Sequence, residues 1–138
     1  MEAIRLLLVD DNPGFLHILS RFLGRHSDLK IVGQAQTADV GLALATREAP
    51  DIVVLDLALD DTPAMRAVAQ MRTALPHAWI VVLTLWDSEV YHRASLDAGA
   101  DRFVSKVAMA ADLLPAIRDA AKGAEGAQTA VDPVEGKP

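Results

Sequence analysis

An α/β fold with a parallel sheet covered by helices on both faces is what this sequence predicts. Short apolar runs alternate with longer segments of helical period, which is the pattern of repeated βα units. The runs are rich in Leu and β-branched residues and lack strict polar alternation, as strands buried on both faces require. Hydrophobic residues make up 51% of the 138 and aromatic residues only 4%, so the core must be built from Leu, Val, Ile and Ala. That length suits one domain with its own core and is short for two.

The first strand is expected at Ile4–Val9, followed by a helix whose first residue is Pro13, a position where proline costs no hydrogen bond, with Asn12 as its cap. Phe15, Ile18, Leu19, Phe22 and Leu23 make that helix's apolar stripe. A second strand is placed at Ile31–Gln34, and a second helix covers about Ala38 to Glu48 and stops before Pro50. The third strand covers residues 52–56. The third helix starts near Thr62-Pro63 and carries Met65, Val68, Ala69 and Met71 towards Pro76. A fourth strand at residues 79–83 leads to a helix that opens after Asp87-Ser88 and stops at Gly99, a good helix terminator. The fifth strand is Arg102–Ser105, and the last helix, residues 109–122, turns Leu113, Leu114 and Ile117 to the sheet. Residues 1–122 are therefore expected to form the domain. Residues 123–138 carry Gly, Ala, Pro and charges without apolar period, and read as a flexible tail or a severed linker.

Composition narrows the function. No apolar stretch approaches the roughly 20 residues that span a bilayer, and Glu2 and Arg5 interrupt any signal-peptide pattern. The absence of cysteine excludes disulfides, thiolate metal sites and thiol nucleophiles. A net charge of −6 argues against broad nucleic-acid binding by this domain alone. The expectation is a soluble, cytoplasmic protein.

The informative feature is where the apolar runs end. Ile4–Val9 ends in Asp10-Asp11, Ile52-Val53-Val54-Leu55 in Asp56, Ile80-Val81-Val82-Leu83 in Thr84, and Phe103-Val104-Ser105 in Lys106. In a parallel sheet the carboxyl ends of the strands form the functional rim, so these residues should converge. Three carboxylates, a hydroxyl and an ammonium around one point suit a divalent cation and an incoming phosphoryl group.

Each residue also has a plainer role. Asp10 and Asp11 suit helix capping, although two adjacent acids after an apolar strand repel each other and a cation would relieve the cost. Asp56 could be a turn aspartate or a carboxylate nucleophile. Thr84 fits any strand, and Lys106 alone would be a solvated amine. Together, in this order and at four strand ends, they point to phosphoryl transfer with Mg²⁺ at the acids, and the expectation is weak Mg²⁺ binding through Asp11 and Asp56 with Asp10 orienting water beside it. His17, His26 and His77 have no spacing for metal or catalysis, whereas His92, near Tyr91, suits an interface.

With these residues in place the chain resembles a response-regulator receiver domain of two-component signalling, over about Ala3 to Lys122. Asp97-Ala98-Gly99-Ala100-Asp101-Arg102-Phe103-Val104-Ser105-Lys106 is especially similar, and Leu113-Leu114-Pro115-Ala116-Ile117-Arg118 resembles the last receiver helix of regulators that carry a LuxR-type DNA-binding domain. The resemblance implies a flavodoxin-like (βα)5 fold, doubly wound, with five parallel strands in the order 2-1-3-4-5. It implies Asp56 as phosphoacceptor, Asp10 and Asp11 as the acidic pair, the Ala58 backbone carbonyl on Mg²⁺, Thr84 as switch hydroxyl, Lys106 as the family's lysine and Phe103 as the switch aromatic. It further implies a histidine kinase or phosphotransferase as donor, and changed affinity of the face around the fourth helix, fifth strand and fifth helix. The readout would be a homodimer, a downstream protein or a DNA-binding domain outside this chain. Catalysis would be limited to self-phosphorylation and self-dephosphorylation.

The chain departs from the family pattern in three places. The loop after Asp56 reads Leu57-Ala58-Leu59-Asp60-Asp61-Thr62-Pro63-Ala64, without the usual Met-Pro and later Gly; Asp60 and Asp61 are expected to favour the next helix N-terminus. Val107 stands where a proline typically follows the lysine. Leu85 and Trp86 follow Thr84 where a small residue is usual, and their bulk is expected to narrow access to Asp56. The alternative that these departures favour is a pseudo-receiver that binds partners without phosphorylation. A Mg²⁺ phosphohydrolase would need a second acid two residues after its nucleophile, where Ala58 stands, and no Gly-rich phosphate loop follows the first strand to suit a nucleotide.

Overall fold

The computed structural model describes residues 2–129 of the chain. Five strands, β1 (Ile4–Val9), β2 (Leu29–Ala35), β3 (Ile52–Leu55), β4 (Trp79–Thr84) and β5 (Arg102–Ser105), alternate with helices α1 (Pro13–Gly24), α2 (Ala38–Glu48), α3 (Ala64–Ala74), α4 (Glu89–Ala98) and α5 (Met109–Thr129). A turn of 3₁₀ helix, Lys106–Ala108, joins β5 to α5. All pairings are parallel and the strand order is β2-β1-β3-β4-β5, as the resemblance implied.

Alternate strand residues feed two cores. Leu6, Leu8, Val54, Val81 and Val104 pack with Leu16, Leu19, Leu23, Leu113 and Ile117 of α1 and α5. Leu7, Val9, Val53, Leu55, Ile80 and Val82 pack on the other face with Ala38, Ala45, Ala67, Val68 and Met71 of α2 and α3. This pleat, apolar on both sides, explains why the strands showed no polar alternation. Helix starts follow local chemistry. Asn12 accepts from the Phe15 N–H, Thr37 from Val40 and Ser88 from Tyr91, each side chain satisfying one of the free amides of a first turn. Gly99 ends α4 at φ 125°, a conformation that favours glycine.

Several details differ from the sequence reading. Ile18 is 57% exposed and Leu16 takes its place in the stripe of α1. Asp61 caps α2 instead of α3: its carboxylate accepts from the Ala38 and Asp39 N–H groups at 2.9 and 3.1 Å. Those two bonds hold its pKa below the ordinary range and tie the β3–α3 loop to the start of α2. The α3 N-terminus has Pro63 at its cap position with no side-chain bond. Helix α5 continues through Gly123 to Thr129, and the rest of the expected tail lies outside the described residues. Gly123 is a packing position, because a Cβ there would stand 2.6 Å from the Trp79 ring.

At the sheet end opposite the site, Arg72 of α3 spans three elements. It donates to the carbonyls of Gly99 and Ala78 and pairs with Asp101 at 2.6 Å, while the same Asp101 oxygen accepts from Ile80 N–H. The sequence reading did not single out Arg72; its partners are set by the fold.

Candidate functional site

The carboxyl ends of β1, β3 and β5 build the site, with β4 lying between β3 and β5. Asp10 follows Val9, whose carbonyl accepts from the Asp56 N–H at 2.9 Å, so the strand pairing itself sets the two carboxylates side by side. Asp11 lies one residue further, half-buried, before α1. One carboxylate oxygen from each of Asp10, Asp11 and Asp56 falls within a group no wider than 4.8 Å. Such a trio of oxygen donors is the chemistry that Mg²⁺ or Ca²⁺ prefers.

Lys106 closes the cluster from β5. Its Nζ stands 2.7 Å from Asp10 Oδ2 and 3.3 Å from Asp56 Oδ2, and its side chain is only 10% exposed. One ammonium faces three carboxylates, so the group carries surplus negative charge if all are ionised. Burial raises the Asp10 pKa above the ordinary carboxylate value, with the Asp56 charge adding to it, although Lys106 and the Asn12 N–H oppose the shift. Asp11 is raised as well, by burial first and then by the charges of Asp56 and Asp60.

Asp56 is 3% exposed, and its Oδ1 has no hydrogen-bond partner among the described residues. An orphaned buried carboxylate oxygen is costly and calls for a ligand. Here it sits in an acid cluster with room for a cation's charge, so the residues fit Mg²⁺. Leu57 and Leu59 are buried in the core under α2 and α3, which fixes the loop on both sides of Ala58 without the family's proline and glycine.

Thr84 is fully buried at the end of β4, and its Oγ accepts from the Trp86 N–H at 3.1 Å. A hydroxyl that accepts still has its hydrogen to give. Phe103 of β5 is half-buried with the His92 imidazole stacked on it. Leu85 and Trp86 lie at the surface beside α4, 66% and 39% exposed, and the Trp86 ring packs on Tyr91 at 5.1 Å between centroids.

The structure therefore brings Asp10, Asp11, Asp56 and Lys106 into one cluster, with Thr84 at the end of β4 and Phe103 on β5, three residues before Lys106. Two participants were not singled out for the site. Phe15 puts its ring 4.0 Å from Lys106 Nζ, and Asn12, read only as a helix cap, also donates its N–H to Asp10 Oδ1 at 2.9 Å. Their sequence signal was faint: an aromatic residue one turn into the helix after an acidic pair also suits a core position.

The sequence model of the response regulator receiver domain matches residues 6–118. The response regulator protein VraR of Staphylococcus aureus is 33% identical over 123 residues, which cover 88% of this chain and 58% of that protein. This chain thus spans a little over half the length of the curated relatives it matches. A two-component response regulator of the LuxR family from Aurantimonas superposes with a TM-score of 0.83 at 29% identity, covering 88% of this chain and 87% of the other. A Burkholderia pseudomallei response regulator, crystallised with a phosphorylated aspartic acid, calcium ion and citrate, superposes with a TM-score of 0.75 at 28% identity over 91% of this chain and 72% of that one.

Proposed function

The chain belongs to the response regulator receiver domain family, and from this premise we propose that it is a phosphorylation switch with Asp56 as its acceptor. Receiver domains of two-component systems are signalling domains rather than classical enzymes. The observation that carries the specific reading is the buried Asp56 carboxylate, one oxygen bonded to Lys106 and the other without a partner among the described residues, beside Asp10 and Asp11.

The donor is a phosphohistidine of a histidine kinase or phosphotransferase. An Asp56 oxygen attacks phosphorus, the P–O bond forms as the P–N bond breaks, and the imidazole leaves with the electron pair. Asp11, Asp56 and the Ala58 carbonyl would hold Mg²⁺, with Asp10 orienting water beside it. When bound, the ion supplies positive charge to the transferring phosphoryl oxygens. Lys106 exchanges its Asp56 contact for a phosphoryl oxygen, and the Thr84 hydroxyl donates to another.

The signal leaves through the face of α4, β5 and α5. Support comes from the exposed apolar side chains of α4 and the loop that precedes it: Leu85, Trp86, Val90, Tyr91 and Leu96. The His92–Phe103 stack and the Thr84–Trp86 bond link that surface to the site. The output is a second copy of the chain, a separate protein, or a DNA-binding domain like those of LuxR-type regulators. Among the described residues no helix is long and apolar enough to cross a membrane.

The test is incubation with Mg²⁺ and a small acyl phosphate, followed by intact-mass measurement. The expected result is one added phosphoryl group in wild type and none in Asp56→Asn. A wild type that takes up no phosphoryl group, from the small donor or from a phosphorylated histidine domain, would leave only the partner-binding reading.

A further inference from the structure

Four residues close a ring of contacts around Asp10. Its Oδ1 accepts from the Asn12 N–H at 2.9 Å, and Asn12 Oδ1 accepts from the Phe15 N–H at 3.0 Å. The Phe15 ring faces Lys106 Nζ, 4.0 Å from the centroid, and the ammonium returns to Asp10 Oδ2 at 2.7 Å. The same asparagine that starts α1 thereby fixes where its aromatic side chain stands.

An ammonium has three N–H donors. Asp10 and Asp56 occupy one side of Lys106, and the face of Phe15 occupies another. A ring face attracts a cation through its quadrupole, more strongly where water is excluded, and this lysine side chain is nearly buried. Without the ring, the long lysine side chain would have solvent as an alternative to the carboxylates.

We propose that Phe15 is a positioning residue for Lys106, holding its ammonium against Asp10 and Asp56. The kinetic consequence rests on Asp56 being the phosphoacceptor; the consequence for cation binding does not. An ammonium kept at the acids does two things of opposite effect. It offsets their charge and so weakens their hold on a divalent cation, and it stands ready beside Asp56 for phosphoryl oxygens. Releasing it should therefore tighten Mg²⁺ binding and slow phosphoryl loading. A residue that merely packed the start of α1 would act otherwise, because a loosened acidic loop would weaken cation binding and loading together.

Five chains decide it: wild type, Phe15→Leu, Phe15→Tyr, Lys106→Met, and Phe15→Leu combined with Lys106→Met. Leucine keeps apolar bulk without the quadrupole, and tyrosine keeps the ring face. Mg²⁺ affinity is read from amide chemical shifts of Asp11 and Asp56, and loading from intact mass with a small acyl phosphate. Phe15→Leu is expected to bind Mg²⁺ about two- to fivefold more tightly and to load slower by a similar factor. Phe15→Tyr should restore both, and in the Lys106→Met background Phe15→Leu should change neither.

Weaker Mg²⁺ binding in Phe15→Leu, or an equal effect of that change with and without Lys106, overturns the proposal. Should thermal melting show Phe15→Leu unfolded, Phe15→Met takes its place in the same cycle. Should wild type take up no phosphoryl group, the acceptor reading fails on its own. The Mg²⁺ cycle then decides the role of Phe15: coupling to Lys106 supports it and independence overturns it.

Discussion

The His92 imidazole lies flat on the Phe103 ring, centroids 4.8 Å apart and planes 10° from parallel. Helix α4 buries only Ser95 among its own residues, so this stack is a substantial share of what ties it to β5. An aromatic pair contributes about 0.5–1.5 kcal/mol beyond its buried area. If Phe103 moves when the site is loaded, the stack must break or move with it.

His92→Ala is therefore expected to favour the loaded state. Beryllofluoride, a phosphoryl mimic, should bind the variant up to about tenfold more tightly than wild type, the upper end of what such a pair contributes. Titration in the presence of Mg²⁺ measures it, and unchanged or weaker affinity would show that the stack does not restrain Phe103.

A second expectation concerns Asp11. Its pKa and that of Asp10 are raised, so protonation favours the folded state. The stability this contributes is complete at acid pH and is lost as pH rises through the raised values. At neutral pH without metal the cluster is under charge strain. Asp11→Asn should raise the melting temperature of the metal-free protein by about 2–4 °C at pH 7, with a smaller gain at pH 5. The same variant should lose Mg²⁺ binding and phosphorylation. In wild type, Mg²⁺ affinity should fall as pH drops towards the raised pKa values, above the usual carboxylate value of about 4. Calorimetric melts at the two pH values check the sign, and normal phosphorylation of Asp11→Asn would refute its assignment to the cation.

Gly123 gives a third. Residue 123 looked like the start of a tail because glycine and alanine carry no apolar period, yet the helix runs past it and Trp79 fills the space where a side chain would be. Gly123→Ala should destabilise the fold by about 1–3 kcal/mol through overpacking, although alanine is the better helix former. A neutral or stabilising result in chemical denaturation would show that Trp79 moves aside at little cost.

The contrast between Gly123 and Asp56 shows what a sequence of this type reveals. The strands and the polar residues gathered at their ends were legible because a buried parallel sheet needs unbroken apolar runs, and polar groups that must meet can only follow their ends. Asp10, Asp56, Thr84 and Lys106 all stand out for that reason. Contacts between distant segments left no such trace. Nothing near Arg72 tells of Asp101, nothing near Asp61 tells of the α2 N-terminus, and nothing near Phe15 tells of Lys106. Ile18 and Leu16 changed places because neighbouring apolar residues on one helix fit either side of a stripe, and only packing against β2 and α5 decides between them.

The last expectation is a long-lived phosphorylated form. Hydrolysis needs a water in line with the phosphorus–Asp56 bond, and misplacement by about 1 Å can cost 10²-fold. Ala58, two residues beyond Asp56, has no polar group to orient that water, and the loop that carries it is pinned by buried Leu57 and Leu59. Trp86 adds bulk beside Thr84, but its ring is drawn onto Tyr91 and leaves much of its surface in solvent. The missing polar group should therefore matter more than the bulk. After removal of the donor, phosphorylated Ala58→Asn should decay several-fold faster than wild type, and Trp86→Ala by a smaller factor. The larger acceleration in Trp86→Ala would make steric exclusion the dominant cause, and unchanged decay in both would mean that neither residue controls where the attacking water sits.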